Sequence, residues 1–255
     1  MPRMAEKQEV DVLLWVGCSA SFDDRAKKIA QATAKLLKAA EVDFAILGEE
    51  ENCNGDPARR AGNEFLFQMM AQMNVEVLNQ YKFNKLVTLC PHCFNTLKNE
   101  YPDFGGNYTV LHHTQLLAEL VREGRLKLRN HVDAKVAFHD SCYLGRYNDV
   151  YDPPREVLRA IPGVSLLEPT KTRDRGMCCG AGGAQMFKEE EEGDERINLR
   201  RAGQLLETQA DTLASACPFC QRMLLDGLAD KEREDVKQLD VAELLWQAVE
   251  PAAGE

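Results

Sequence analysis

The sequence predicts an α/β protein made of two tandem, duplicated Rossmann-like domains related by pseudo-twofold symmetry. Two observations predict this. Its cysteines form two groups of similar spacing, and equivalent cysteines are offset by 124 to 127 residues. Short apolar runs also alternate with helical patterns in both halves, which is typical of parallel α/β units. We place the boundary within the polar stretch 125–134, which gives domains over residues 1–130 and 131–255.

Both halves repeat one order of elements. An apolar strand precedes the first cysteine, helices follow, a second strand precedes a C-P-x-C sequence with a helix after it, and a strand and a helix close the half. The strands before cysteines are predicted at 12–17, 86–89, 135–141 and 212–216, the helices at 23–40, 63–81, 94–100, 196–210 and 221–229, and the closing segments at 110–120 and 236–249. The cysteines should therefore meet at the carboxyl ends of the strands.

The nine cysteines divide into a first set of four and a second set of five. Intervening segments of 34 and 36 residues in the first half correspond to segments of 35 and 37 residues in the second. Both sets end in C-P-x-C. The first set is Cys18, Cys53, Cys90 and Cys93, and the second set is Cys142, Cys178, Cys179, Cys217 and Cys220.

The odd number of cysteines argues against a complete disulfide framework, and the duplicated spacing argues against ordinary buried thiols. The adjacent pair Cys178-Cys179 does not suit one tetrahedral zinc ion, and five thiolates exceed the four that zinc takes. Glycines at 180, 182 and 183 let the backbone approach a cofactor and offer it N–H groups, so Gly180, Gly182 and Gly183 are predicted to bind cofactor. A polynuclear iron–sulfur centre is favoured for the second set.

The pattern C-x35-C-C-G-x36-C-P-x-C resembles the cysteine-rich CCG domain of heterodisulfide reductase and its relatives, which include iron–sulfur subunits of lactate, glycolate and glycerol-3-phosphate oxidation. Longer stretches resemble the branch of iron–sulfur reductases that pass electrons from electron-transfer flavoprotein to quinone. These stretches are Trp15–Cys18, Asn52–Arg60, Cys90–Pro102 and His139–Tyr147. The resemblance implies a non-cubane [4Fe-4S] cluster held by the five cysteines of the second set.

The chain departs from that family at two places. The first half reads Asn52-Cys53-Asn54-Gly55 where the full motif has Cys-Cys-Gly, so its four cysteines suit a second iron–sulfur centre or a zinc ion. No C-x2-C-x2-C-x3-C-P ferredoxin run is present, which predicts a stand-alone subunit or a fragment of a larger assembly. We expect the two sets to bind metal independently of each other.

We predict an oxidoreductase subunit that relays electrons between a flavoprotein and quinone or ferredoxin partners and is inactive without them. Two alternatives stay open: a cluster that itself cleaves a disulfide or similar substrate, or a part in 2-hydroxy acid oxidation within a complex. A zinc-only scaffold is the weakest interpretation. A net charge of −10 gives no electrostatic reason to bind nucleic acid. With no apolar run of membrane-spanning length and no signal sequence, we expect a cytoplasmic protein, peripheral at the inner face of the membrane through partners.

Histidines and arginines near the cysteines have two interpretations. His92, His112, His113 and His139 are interpreted as supporting or structural residues rather than ligands. The arginines that flank the cysteine loops either are surface charges or balance an anionic cluster: Arg59, Arg60, Arg146 and Arg175.

Overall fold

A computed structural model of the chain describes residues 1–189 and 193–249. The acidic run Glu189–Glu192, expected from the sequence to be solvated, lies mostly outside the described residues. No helix within the described ranges is both long and apolar enough to cross a membrane.

Each half contains one four-stranded parallel sheet. The first half comprises α1 (Met4–Lys7), β1 (Glu9–Trp15), α2 (Cys18–Phe22), α3 (Asp24–Ala39), β2 (Phe44–Ala45), α4 (Asp56–Arg60), α5 (Glu64–Leu78), β3 (Lys82–Thr88), α6 (Pro91–Asn95), β4 (Val110–His112) and α7 (His113–Arg122). The second comprises β5 (Ala134–Phe138), α8 (Asp152–Ala160), β6 (Val164–Leu167), α9 (Ile197–Leu206), β7 (Thr212–Ser215), α10 (Pro218–Asp230), β8 (Lys237–Asp240) and α11 (Val241–Ala248).

The two sheets have the same topology. Their strand orders are β2-β1-β3-β4 and β6-β5-β7-β8, and every pairing is parallel. The predicted duplicated α/β fold is therefore confirmed, with β1 equivalent to β5 and β3 equivalent to β7. Strands β2 and β6 and helix α8 were not predicted, because two to four residues at a sheet edge carry little periodic signal. The domain boundary at 130/131 stays a prediction.

The helices that follow the C-P-x-C sequences begin earlier than predicted. Helix α6 starts at Pro91 and α10 at Pro218, because proline fits the first turn of a helix, where no N–H partner is needed. Helix α6 also ends at Asn95, and a π-helical turn continues the chain from Thr96 to Glu100. The cysteine before each proline is thereby the N-cap residue of its helix.

The halves pack through equivalent helices. Helix α7 packs on α8 and α11 packs on α3, which is the reciprocal arrangement expected of a pseudo-twofold axis. Reciprocal caps lie near that axis, where His112 caps α7 and Asp240 caps α11, each in a capping box. His113 Nε2 lies 3.0 Å from Asp240 Oδ1 with both side chains fully buried, so the halves share one interior.

Close packing of α9 on α10 depends on one glycine. A Cβ atom at Gly227 would lie 2.9 Å from the Asn198 carbonyl oxygen. We expect Gly227→Ala to lower the free energy of unfolding in urea by about 1–3 kcal/mol, because backbone must move to admit the methyl group. Gly203→Ala, also in this helix pair, is the control: its Cβ would meet only the flexible end of Lys231 at 3.5 Å. Equal effects of the two substitutions would contradict this account.

Candidate metal centres

The first set lies at the carboxyl ends of strands in the first sheet. Cys18 begins α2 just after β1, Cys53 lies in the loop before α4, and Cys90 caps α6, which contains Cys93. Cys90 and Cys93 are buried, whereas Cys18 and Cys53 are half-buried. The thiols of Cys18 and Cys53 are in hydrogen-bonding contact, and this contact lowers the pKa of Cys53 to about 6. The four predicted residues are therefore brought to one edge of the sheet.

The second set occupies the equivalent edge of the second sheet. Cys142 follows β5, Cys178 and Cys179 lie between β6 and α9, and Cys217 caps α10, which contains Cys220. The Sγ atoms of Cys179 and Cys220 are 3.3 Å apart. Contacts with Cys142 and Cys179 lower the pKa of Cys178 far below its ordinary value, which favours the thiolate that ligates metal.

Backbone N–H groups also point at the sulfur atoms of the second set. The N–H of Gly180, which has a φ of 95°, donates to Cys178 Sγ at 3.3 Å. The N–H of Cys220, in the first turn of α10, donates to Cys217 Sγ at 3.5 Å. Such donors stabilise thiolates and anionic clusters. Gly182 lies beside His92, and Gly183 has a φ of 67°, so the cofactor-binding role of these two glycines stays a prediction.

The two sets are in contact with each other. The thiols of Cys90 and Cys217 are hydrogen-bonded across the two halves. Pairwise thiol contacts then join seven cysteines in an unbroken line, in the order Cys142, Cys178, Cys179, Cys220, Cys217, Cys90 and Cys93. The sequence treats the sets as separate sites, but the structure makes them neighbours.

A buried ion network positions the second set. The guanidinium of Arg155 is fully buried and bonds both oxygens of Asp140, at 2.7 and 2.9 Å. It also bonds both oxygens of Glu168, at 2.7 and 2.9 Å, and Thr172 at 2.8 Å. Asp140 in turn accepts the backbone N–H of Arg173 at 2.7 Å. The network thus ties the loop that carries Cys142 to the segment that leads to Cys178-Cys179.

Carboxylates also organise the first set. Glu51 accepts the N–H groups of Val16 at 2.9 Å and Gly17 at 2.5 Å, which fixes the turn before Cys18. Burial raises the pKa of Glu51 to about 7. Asp56, at the start of α4, bonds His92 at 3.0 Å.

His92 connects the first half to the second set. Its ring lies 4.3 Å from the ring of Tyr143 and 5.4 Å from that of Phe219, both in the second half. Arg60 bonds Asp56 at 3.0 Å and also contacts Glu100. These contacts place a polar group of one half against the cysteine loops of the other.

His139 and Arg201 lie behind the second set. A ring nitrogen of His139 is within 4.8 Å of the Sγ atoms of Cys179 and Cys220. Arg201 Nε donates to His139 Nδ1 at 3.0 Å, and both side chains are buried. Burial, and then the charge of Arg201, lower the pKa of His139 to about 4.

Two open cavities reach the first set. One has a volume of about 250 Å³ and is lined by Cys18 and Phe22 from the first half and Phe187 and Phe219 from the second. The other has a volume of about 390 Å³ and is lined by Cys53 and again by Phe187. Phe22 is 84% and Phe187 is 62% exposed. The first set therefore has the more open approach from the surface.

The remaining predicted residues have structural partners. His112 caps α7 and His113 bonds Asp240, as described above. Arg59 bonds Glu100 at 2.7 Å, and Arg146 bonds the backbone carbonyls of residues 174 and 176 before the second set. Arg175 is exposed. Sequence reasoning missed four buried charged residues around the sets: Glu51, Asp140, Arg155 and Arg201.

A family model described as "Cysteine-rich domain" (CCG) matches residues 12–98 and again 136–225. The chain belongs to this family. Both matched ranges contain a complete cysteine set and the sheet edge that carries it. The resemblance inferred from the cysteine pattern is confirmed, as is the tandem repeat of the domain.

Relatives of this CCG-family chain are iron–sulfur oxidoreductases or parts of one. The "Probable iron-sulfur-binding oxidoreductase FadF" of Bacillus subtilis is 53% identical over 96% of this chain and 35% of its own length. The "EtfAB:quinone oxidoreductase" of Syntrophomonas wolfei is 47% identical over 95% and 35%. One polypeptide of the dihydromethanophenazine:CoB–CoM heterodisulfide reductase of Methanosarcina barkeri is 34% identical over 97% and 61%. The chain thus spans about a third of the first two relatives.

The residues present fit a thiolate-bound iron–sulfur group. Five thiols converge in the second set, and soft thiolates are the ligands such clusters require. The ring nitrogen Nε2 of His139 and the hydroxyl of Ser141 are buried and have no hydrogen-bond partner among the described residues. Unpartnered buried donors of this kind are expected where an absent acceptor completes a site.

Proposed function

We propose that this chain relays single electrons between redox partners, through a non-cubane [4Fe-4S] cluster held by Cys142, Cys178, Cys179, Cys217 and Cys220 and a second iron–sulfur centre held by Cys18, Cys53, Cys90 and Cys93. The cofactors would supply one-electron redox chemistry. The chain would hold them, surround them with low-polarity groups and keep them adjacent.

One observation carries the proposal. The Cys90–Cys217 contact joins the two sets across the halves, so a centre in one set would lie next to a centre in the other. The second set is the more buried, and the first set is approached by two cavities. This arrangement gives an entry near the surface and a protected second site, as expected of an electron conduit.

The partners follow from the relatives. The name of the Syntrophomonas wolfei relative pairs EtfAB with quinone, which supports a flavoprotein donor and a quinone acceptor, with ferredoxin as another partner. The chain is expected to need these partner subunits and to sit at the membrane only through them. A zinc ion in the first set would confine the relay to the second set.

The test uses the full chain, reconstituted anaerobically with iron and sulfide. Metal analysis should give about four irons for the second set and additional iron for the first. NADH alone should leave the visible absorbance unchanged, whereas a reduced flavoprotein should bleach it.

Cys18→Ser with Cys53→Ser is the informative variant, because these residues are distant from the Cys90–Cys217 contact in the thiol line. It should keep the iron of the second set and its reduction by dithionite, but lose fast reduction by the flavoprotein. Unchanged flavoprotein reduction in this variant would contradict entry through the first set.

A second function is favoured by the cavity beside Cys18, which Phe219 of the second set's C-P-x-C also lines. A cluster in contact with a substrate there could cleave a disulfide directly. Rapid disulfide cleavage by the single chain with an artificial electron donor would favour this function over the conduit.

A further inference from the structure

The pair His139–Arg201 is a polar group buried directly behind the second cysteine set. His139 is 1% exposed and Arg201 is fully buried. A ring nitrogen of His139 lies within 4.8 Å of two sulfur atoms, those of Cys179 and Cys220. That distance leaves two chemical roles for the imidazole, as a metal ligand or as a hydrogen-bond donor to the metal centre.

The hydrogen bond from Arg201 decides between these roles. A guanidinium can only donate, so the Nδ1 atom that it contacts at 3.0 Å must carry a lone pair. The proton of the neutral ring is then on Nε2, and a protonated nitrogen cannot ligate a metal. Nε2 has no hydrogen-bond partner among the described residues, so its N–H is available for an acceptor outside the protein chain.

The charge of Arg201 also lacks a counterion. Its Nη1 bonds the Lys171 carbonyl at 2.9 Å and the Gln204 amide oxygen at 3.2 Å, both neutral, and Nη2 has no partner. No carboxylate in the described part of the chain forms an ion pair with it. The nearby Asp140 is already bonded through both oxygens to Arg155. A buried, unpaired cation is strongly unfavourable, so an anion is expected at this site.

The equivalent position in the first half supports a donor. Three residues before its first cysteine, the second half has His139 and the first half has Trp15. Trp15 is fully buried, and its indole Nε1 also has no hydrogen-bond partner among the described residues. Because an indole N–H can donate but cannot ligate, the feature shared by both halves is a buried ring N–H at the end of the first strand.

We propose that His139 is a positioning residue that donates its Nε2–H to a sulfur of the centre in the second set, and that Arg201 fixes this tautomer and supplies the buried positive charge that balances the centre. Together they raise its reduction potential. This inference rests on the proposed iron–sulfur function.

The first experiment needs no destabilising variant. Full-length protein labelled with ¹⁵N-histidine is reconstituted anaerobically, reduced and studied by pulsed EPR. A weak ¹⁵N coupling, lost in His139→Gln, is expected for a hydrogen-bonded ring. A strong coupling, typical of a nitrogen bound to iron, or no histidine coupling at all, would overturn the proposal.

The second experiment measures the midpoint potential of the second centre by EPR-monitored titration. Arg201→Gln should lower the equilibrium constant for one-electron reduction about tenfold, which corresponds to 59 mV. Arg200→Gln is the matched control, since it removes the same charge from the neighbouring, 54% exposed side chain paired with Glu195. Arg201→Lys, which keeps the charge, should retain most of the potential.

The outcomes separate this inference from the proposed function. Protein that binds iron with equal potentials in Arg201→Gln and Arg200→Gln would overturn the role of Arg201 and leave the iron–sulfur centre intact. Wild-type protein with no iron in the second set would overturn both. If Arg201→Gln binds no iron, the ¹⁵N coupling of the wild-type protein decides.

Discussion

Replacing Cys179 by serine is expected to empty the second set of iron, a loss of about four atoms per chain. The Cys179 side chain is 3% exposed and its sulfur lies 3.3 Å from that of Cys220, so no water or alternative thiol can take its place. A serine hydroxyl is a hard donor that stays protonated, and iron–sulfur clusters require soft thiolates. Iron and sulfide content after anaerobic reconstitution, together with visible absorbance, measure the loss.

Ala181→Ser is the control for this substitution. Ala181 belongs to the same small apolar cluster as Cys179, Cys217 and Cys220, and it is also buried. The variant adds a hydroxyl there without removing a thiol, so it should bind iron like the wild type. Full iron content in Cys179→Ser would exclude Cys179 as a ligand of the centre.

The second large effect is expected for Arg155→Met, which removes the centre of the buried ion network. The Asp140 carboxylate would stay buried without its two hydrogen bonds from the guanidinium, and breaking a buried pair in this way costs about 3–5 kcal/mol. The free energy of unfolding in urea should fall by that amount when measured on the reduced, metal-free chain, where metal binding adds nothing. The released segment before Cys178 should also weaken iron binding by the second set.

Arg173→Met provides the comparison in the same segment. Arg173 pairs with Asp152 at 2.6 Å, but the two side chains are 42% and 64% exposed. Exposed pairs contribute about 0–1 kcal/mol, so this variant should be nearly as stable as the wild type. Similar losses in the two variants would show that burial of the Arg155 network is not the source of its stability.

These predictions depend on charged side chains that the sequence does not distinguish. In the sequence, Arg155 and Arg201 have the pattern of solvated positions on amphipathic helices, and each is fully buried in the fold. Periodicity reports where apolar side chains face the core. It cannot report a charged residue that is buried because a partner from another segment compensates its charge.

The same limit applies to the histidines. The sequence interprets His92, His113 and His139 alike, as supporting residues near cysteines. The fold gives them different partners, Asp56 for His92, Asp240 for His113 and Arg201 for His139. Of these three pairs, the last leaves an unpartnered N–H within reach of two sulfur atoms. Which histidine serves a metal centre is therefore decided by tertiary contacts.

The sequence by itself determined the duplication, the two cysteine sets and the strand-to-helix turns that carry them. Spacing, apolar runs and turn residues are local or repeated features, and they survive without knowledge of the fold. The contact between the sets was decided only by the tertiary structure. Cys90 and Cys217 meet because α3, α7, α8 and α11 pack reciprocally about a pseudo-twofold axis. That packing depends on the shapes of complete helix faces, which no cysteine spacing encodes.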